Sequence, residues 1–206
     1  MFSLLSRGFL LGLAVAASPG PIFFLCVRRI LTQGRSIGLA SGLGVATADG
    51  FYAAIATFGI AALTTAFVAG RRPLAVIGGA ILILLGVRIL LERRQAAAPA
   101  SVPTGRGLAW AYASTLGLTM TNPATVISFA ALAATLGLGT GGSLLRPAAV
   151  VAGVFLGSAA WWAVLVAAAS VLRARLTPRA VNWISTVSGL AIAVLGISAV
   201  LSAVSG

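Results

Sequence analysis

Histidine and lysine are missing from this chain altogether, and it contains one cysteine, Cys26, and two acidic residues, Asp49 and Glu92. Each absence excludes something. A single cysteine can form neither an internal disulfide nor a dithiol relay. Without histidine, and with two carboxylates far apart in sequence, an all-protein transition-metal site has too few ligands. Nucleophilic catalysis needs a base beside the nucleophile, and serines such as Ser18 and Ser158 have no imidazole to serve them. Charge of any kind is scarce, at 8% of residues against about 25% in soluble domains. What is present instead is apolar: 60% of the 206 residues are hydrophobic. A soluble domain of this length must show water a polar exterior. A lipid exterior removes that demand, so the expected class is an all-α polytopic membrane protein.

The basic residues are all arginine, and the net charge is +12. They stand singly or in pairs between apolar runs, with no basic face interleaved with aromatics, so nucleic acid is not an expected partner. Their placement is better explained by topology. A transmembrane helix needs about 20 mostly apolar residues, and six such stretches are legible: about 8–27, 37–67, 74–91, 107–136, 148–172 and 180–203. Arg71-Arg72-Pro73 breaks the chain between the second and third, and a linker rich in Ala, Pro and Ser covers 92–106. Ala16-Ala17-Ser18 after an apolar run could pass for a signal peptide, but the run resumes at Ile22 and ends at Arg28-Arg29, so it reads as a retained first span. Loops after the first, third and fifth spans carry ten arginines (Arg28, Arg29, Arg35, Arg88, Arg93, Arg94, Arg106, Arg173, Arg175, Arg179) against four on the other side (Arg7, Arg71, Arg72, Arg146). The excess of arginine on the cytoplasmic side puts both termini outside the cytoplasm.

The two halves resemble one another. Gly79 and Gly86 in the third span match Gly189 and Gly196 in the sixth, and Gly44-Val45 in the second matches Gly153-Val154 in the fifth. That alignment pairs Asp49 with Ser158 and Tyr52 with Trp161, while Ser18-Pro19 matches Asn122-Pro123. Three spans per repeat is an odd number, so the second half must enter the membrane from the opposite face. The expected architecture is one transporter domain over 1–206: repeat one about 1–91, linker about 92–106 and repeat two about 107–206. Such 3+3 inverted-topology repeats are frequent in secondary transporters.

Two constellations interrupt the apolar pattern. Ser18-Pro19-Gly20-Pro21 lies mid-span, where proline removes a helix hydrogen bond and clashes with the preceding turn; Thr121-Asn122-Pro123 lies in the symmetric place. Backbone freed in lipid is costly unless it lines a cavity, so paired breaks in the first and fourth helices point to a substrate site formed by Ser18, Pro19, Gly20, Pro21, Thr121, Asn122 and Pro123. The second feature is Asp49, the only acid inside a span, about one third along the second. A carboxylate there must face the protein interior, and it could carry a coupling proton or bind a substrate ammonium. Tyr52, one turn on, shares its face and could cap the carboxylate; with Ser158 and Trp161 it is expected to line the cavity. Small residues four apart (Gly38/Gly42, Ala46/Gly50, Gly153/Gly157) suit close helix packing and would equally permit a homodimer.

Over its whole length the chain resembles the LysE/RhtB family of amino acid exporters. The resemblance rests chiefly on Pro19-Gly20-Pro21 and Asn122-Pro123. It is extended by Asp49 in a glycine-rich second span, Gly78-Gly79 and Gly86, Gly153, Gly157 and Trp161, and Gly189 and Gly196. Where many members carry a lysine after Asn-Pro, this chain has Ala124 and Thr125. The resemblance implies a bacterial inner-membrane, proton-driven exporter of amino acids or related zwitterionic metabolites, with no cofactor and no enzymatic activity. The expected partners are the small-molecule substrate, protons and the lipid bilayer. A metal-cation exporter of the wider superfamily and a non-transporting scaffold are the alternatives.

Overall fold

A computed structural model of the chain describes residues 2–58, 69–92, 105–122, 125–129, 144–173 and 175–205. Among them the regular elements are all helices: α1 (Phe2–Ala16), α2 (Pro21–Gln33), α3 (Arg35–Thr57), α4 (Arg71–Glu92), α5 (Gly105–Met120), α6 (Leu145–Arg173) and α7 (Pro178–Ser205), with a further helical stretch at 125–129. Four of these, α3, α4, α6 and α7, are long and apolar enough to cross a membrane, and α1 with α2 makes a fifth if the bent pair is one span. The outer faces are apolar, with Leu10, Leu84, Leu91, Val164 and Val194 exposed. That is the surface of a polytopic membrane protein.

Proline sets where several helices begin. Pro21 and Pro178 are the first residues of α2 and α7, and Pro73 and Pro147 lie in the first turns of α4 and α6. In a first turn the missing N–H has no intrahelical partner to lose. Arg71-Arg72-Pro73 therefore opens a helix, whereas the sequence reading took it as a break outside one. The predicted second span also shortens. α3 ends at Thr57, and 59–68 lie outside the described residues, as do Pro123, Ala124 and most of the 92–106 linker. Asp49 consequently falls about two thirds of the way along α3, not a third.

Glycines set how the helices pair. In α1, Gly8 and Gly12 lie against the backbone of Val150 and Val154 of α6, and Gly153 and Gly157 answer with Leu5, Gly8 and Phe9; a Cβ at any of the four would collide with backbone. Both numberings rise together, so α1 and α6 run parallel. α3 and α5 also run parallel, Ser41 meeting Thr115 and Tyr52 meeting Met120. α3 crosses α6 antiparallel, through Gly38 on Val166, Gly42 on Trp162 and Asp49 on Ser158. α4 crosses α7 antiparallel, with Gly79 on Gly196 and Gly86 on Gly189. A single residue, Gly34, turns α2 into α3. Its φ of 95° suits glycine, and its N–H caps the carbonyls of Arg29 and Ile30.

Arg28 and Arg29 are not loop residues. They lie in the last two turns of α2, where Arg28 Nε donates to Ser185 Oγ of α7 at 3.0 Å. Arg29 is 6% exposed. Its guanidinium donates to Ser41 Oγ of α3 at 3.0 Å and to two groups of α5, the Ala111 carbonyl at 3.1 Å and Ser114 Oγ at 2.9 Å. Three helices are thereby tied together at one end of the bundle by one buried cation.

Candidate functional site

Both expected breaks exist, and local chemistry explains each. α1 ends at Ala16, Ser18 N–H reaches back only to Val15, and α2 restarts at Pro21 with an 80° change of direction. Pro19 and Pro21 donate nothing to a ladder, and Gly20, in extended conformation, carries no side-chain cap. The N–H groups of the first turn of α2, the positive end of its dipole, thus open at the break. In the second half, α5 ends at Met120; Asn122 N–H bonds the Thr119 carbonyl, and the Asn122 carbonyl accepts from Val126 to restart a helix. The Met120 carbonyl accepts from a side chain, the Tyr52 hydroxyl at 2.6 Å. Tyr52 also stacks on Phe129, with ring centroids 5.8 Å apart. It therefore braces the break in the fourth segment and gives its proton to a carbonyl there, not to the Asp49 carboxylate.

A cavity of about 440 Å³ lies between the two breaks, α4 and α7. Of the predicted substrate residues it gathers Pro21, Thr121 and Asn122. Ser18 and Pro19 are exposed on the chain's surface, Gly20 has open space around it, and Pro123 falls outside the described residues. The remaining wall is mostly carbon, from Ala75, Leu82, Leu118, Ile127, Leu195 and Ala199. Along α4 the cavity runs from Arg71 to Leu82, about 16 Å at 1.5 Å per residue, or about half of a ~30 Å hydrocarbon core. Gly78 makes it possible for α4 to approach the break: a Cβ there would come within 2.8 Å of Thr121 Oγ1.

Asp49, Tyr52, Ser158 and Trp161 do not line this cavity. Asp49 is 2% exposed and accepts a 2.7 Å hydrogen bond on Oδ2 from Ser158 Oγ, which is fully buried. The pair sits where α3 crosses α6, held by Gly42 under Trp162 and by Gly50 against Phe155. Trp161, like Phe24 and Leu85, is partly buried against an apolar cluster with members from all seven helices. The exposed Trp110 and Trp183 stand near the starts of α5 and α7, as interfacial anchors do.

A broken first helix, a second break facing it across a cavity and a buried acid at a helix crossing form one arrangement, and the comparison with known families agrees with it. The LysE type translocator family matches residues 13–203. The chain belongs to that family. No curated protein and no solved structure matches it. It is therefore a multi-pass membrane transporter, and membership covers both breaks, Asp49 and every helix from the end of α1 onward.

Three features of this translocator escaped the sequence reading. Arg71 and Arg72, both exposed, line the cavity, although by sequence they serve only as a topology marker. The signal was there: two adjacent cations beside a first-turn proline, in a chain with almost no acid. Ser198 and Ser202 join them one and two turns from the end of α7, and single serines in an apolar helix carry no signal. Arg29 counted as a loop arginine because nothing in the sequence says that α2 continues to Gln33.

Proposed function

We propose that this translocator is a secondary active exporter of amino acids or similarly small zwitterionic metabolites, exchanged against protons across the bacterial inner membrane. The observation that carries the reading is one cavity lined by residues of both helix breaks, Pro21 on one side and Thr121 and Asn122 on the other. A transporter needs a central site whose polar walls come from unwound backbone. In this proposal the Pro19-Gly20-Pro21 and Asn122-Pro123 segments hold the substrate's polar groups, and the exposed Ser18 comes into play when the bundle rearranges.

Six consecutive segments, arranged as two inverted halves, supply the alternating access. The helix directions support this: α3 and α6, and α4 and α7, cross antiparallel as matched pairs, while α1 lies parallel on α6 just as α5 lies parallel on α3. With both termini outside the cytoplasm, the end of the cavity at Arg71 and Arg72 faces outward, and the Arg29 tie closes the cytoplasmic end. Asp49 is the proton carrier. It is the one acid within the described helix interiors, and Ser158 supplies a donor that can stay in place while the carboxyl gains or loses a proton. Because Asp49 lies at the α3–α6 crossing and not on the cavity wall, its protonation would couple to the substrate through movement of that crossing.

The test is efflux from cells loaded with peptides, with external amino acids quantified by mass spectrometry and wild type compared with Asp49→Asn at matched membrane levels. Faster appearance of one amino acid with wild type alone supports the reading. Equal export by both proteins removes Asp49 from the coupling, and export by neither removes amino acids as the substrate class.

A further inference from the structure

Matched positions of the two halves make matched contacts. Gly44 of α3 lies against the Tyr112 carbonyl of α5; its counterpart, Gly153 of α6, lies against Gly8 of α1, which falls on Tyr112 when Ser18 is set on Asn122. Exchanging the halves likewise turns the Gly79–Gly196 contact of α4 and α7 into the Gly189–Gly86 contact. At the two breaks one contact is unmatched. The Tyr52 hydroxyl donates at 2.6 Å to the carbonyl of Met120, the last residue of α5. The counterpart of Tyr52 is Trp161, and the counterpart of Met120 is Ala16, the last residue of α1. Trp161 is level with that end of α1, because Gly157, one turn earlier in α6, lies against Phe9 and Leu13. Ala16 belongs to the apolar cluster on which Trp161 packs. Yet Trp161 Nε1 is buried and, among the described residues, has no hydrogen-bond partner. Buried indole N–H groups usually have one, because burial forfeits the bond to water.

The cavity is one-sided in the same sense. It is walled by the first half of α4 and the last third of α7. Gly78 lines it, whereas the counterpart of Gly78, Ser188 of α7, is 2% exposed. The counterpart of the lining residue Ala75 is Ser185, which accepts a hydrogen bond from Arg28.

From this we infer that Tyr52 and Trp161 are alternating braces. Tyr52 holds the second break in the state seen here; in the state open to the opposite side, Trp161 Nε1 donates to the carbonyl that ends α1, and the Tyr52 bond is released. The inference rests on the inverted-repeat exporter reading above, and it gives one residue of each half a positioning role in transport. Phenol and indole differ in shape but share a single donor on a ring. A carbonyl at a helix break in an apolar bundle is costly without a donor, and each half carries one at the same place. One bond is made as the other is lost, so this pair alone favours neither state.

The experiment reads which way the protein faces from cysteine reactivity in liposomes carrying the full-length protein, in a Cys26→Ala background. Ser202→Cys, in the cavity wall, reports the state seen here; Ser188→Cys, buried here, reports the opposite one. Trp161→Phe is expected to lower the rate of N-ethylmaleimide labelling at the Ser188 reporter relative to the Ser202 reporter by roughly threefold to tenfold, the worth of one hydrogen bond. Tyr52→Phe is expected to raise that ratio by a similar factor. Trp161→Tyr, which puts the first half's donor in the second half, should restore the wild-type ratio, whereas a packing role for the indole would not be rescued. An unchanged ratio in folded Trp161→Phe, or shifts of the same sign in both phenylalanine variants, overturns the inference; if Trp161→Phe does not fold, an unchanged ratio in Tyr52→Phe overturns it alone. Counterflow of a mixture of labelled standard amino acids in the same liposomes tests the exporter reading separately. Opposite shifts without exchange keep the braces and overturn amino acids as the cargo, and exchange without opposite shifts does the reverse.

Discussion

Asp49 and Ser158 are 109 residues apart in the chain and 2.7 Å apart in the protein. They are also the two residues that occupy equivalent places when the halves of the sequence are aligned, so each half contributes its own copy of one position to a single hydrogen bond. Under the proposed inverted repeat, a contact between equivalent positions lies near the axis relating the halves, where the proposed coupling group would meet both of them equally.

That contact separates two variants. Asp49→Asn can still accept the Ser158 proton and should fold normally, but exchange should no longer respond to an imposed pH gradient, whereas the wild type slows when the gradient is collapsed. Ser158→Ala leaves a buried carboxylate without its donor and should destabilise by about 1–3 kcal/mol, read as a lower melting temperature in detergent. A pH-gradient response that survives Asp49→Asn would remove this residue from the coupling.

Tyr52 should matter through its hydroxyl. Tyr52→Phe keeps the stacking on Phe129 but takes this donor from the Met120 carbonyl, an expected loss of about 0.5–1.5 kcal/mol. Hydrogen exchange in residues 118–122 should quicken more than elsewhere in α5. Protection unchanged there would mean that the break is braced by other groups.

Close glycine packing predicts opposite effects from the same substitution. Gly157→Ala forces a Cβ onto the backbone of Phe9 and should cost about 1–3 kcal/mol by prying α1 from α6. Gly117→Ala meets nothing within 4 Å and should stabilise α5 by about 0.5–1 kcal/mol. Thermal melts of the two variants in one detergent decide it.

Cys26 is fully buried one turn before Arg29. In native membranes it should resist maleimide. Arg29→Ala removes the bonds to Ser41, Ala111 and Ser114 and should make Cys26 label several-fold faster, because the end of the bundle that those bonds close would open. Equal labelling rates would mean that apolar packing alone seals this end.

Orientation is open to a direct check. In a Cys26→Ala background, Ser202→Cys in the cavity wall should react with a membrane-impermeant maleimide added to intact cells, and Thr177→Cys between α6 and α7 should react only after permeabilisation. The reverse pattern would invert the protein in the membrane.

Much of this was legible in the sequence because it depends on local or compositional causes. Apolar length marks a span, and a Pro-Gly-Pro stretch breaks a helix wherever the helix goes. Glycines recurring at one offset foreshadowed the α4–α7 crossing. The roles of arginines were not legible. Arg28, Arg29, Arg71 and Arg72 look alike as pairs flanking apolar runs. Yet Arg29 is buried among hydroxyls, and Arg71 and Arg72 border a cavity, because helix ends and crossing angles decide what each side chain meets.

By itself, then, the sequence determined the lipid-facing class, the helices, the two breaks and the isolation of Asp49 among apolar neighbours, since each follows from transfer free energy or from proline geometry acting over a few residues. Only the tertiary structure decided that Ser158 bonds Asp49, that Tyr52 serves the Met120 carbonyl and that Arg71 and Arg72 line the same cavity as the two breaks. Those outcomes join residues tens to more than a hundred positions apart, and such meetings are set by which glycine faces let which helices touch.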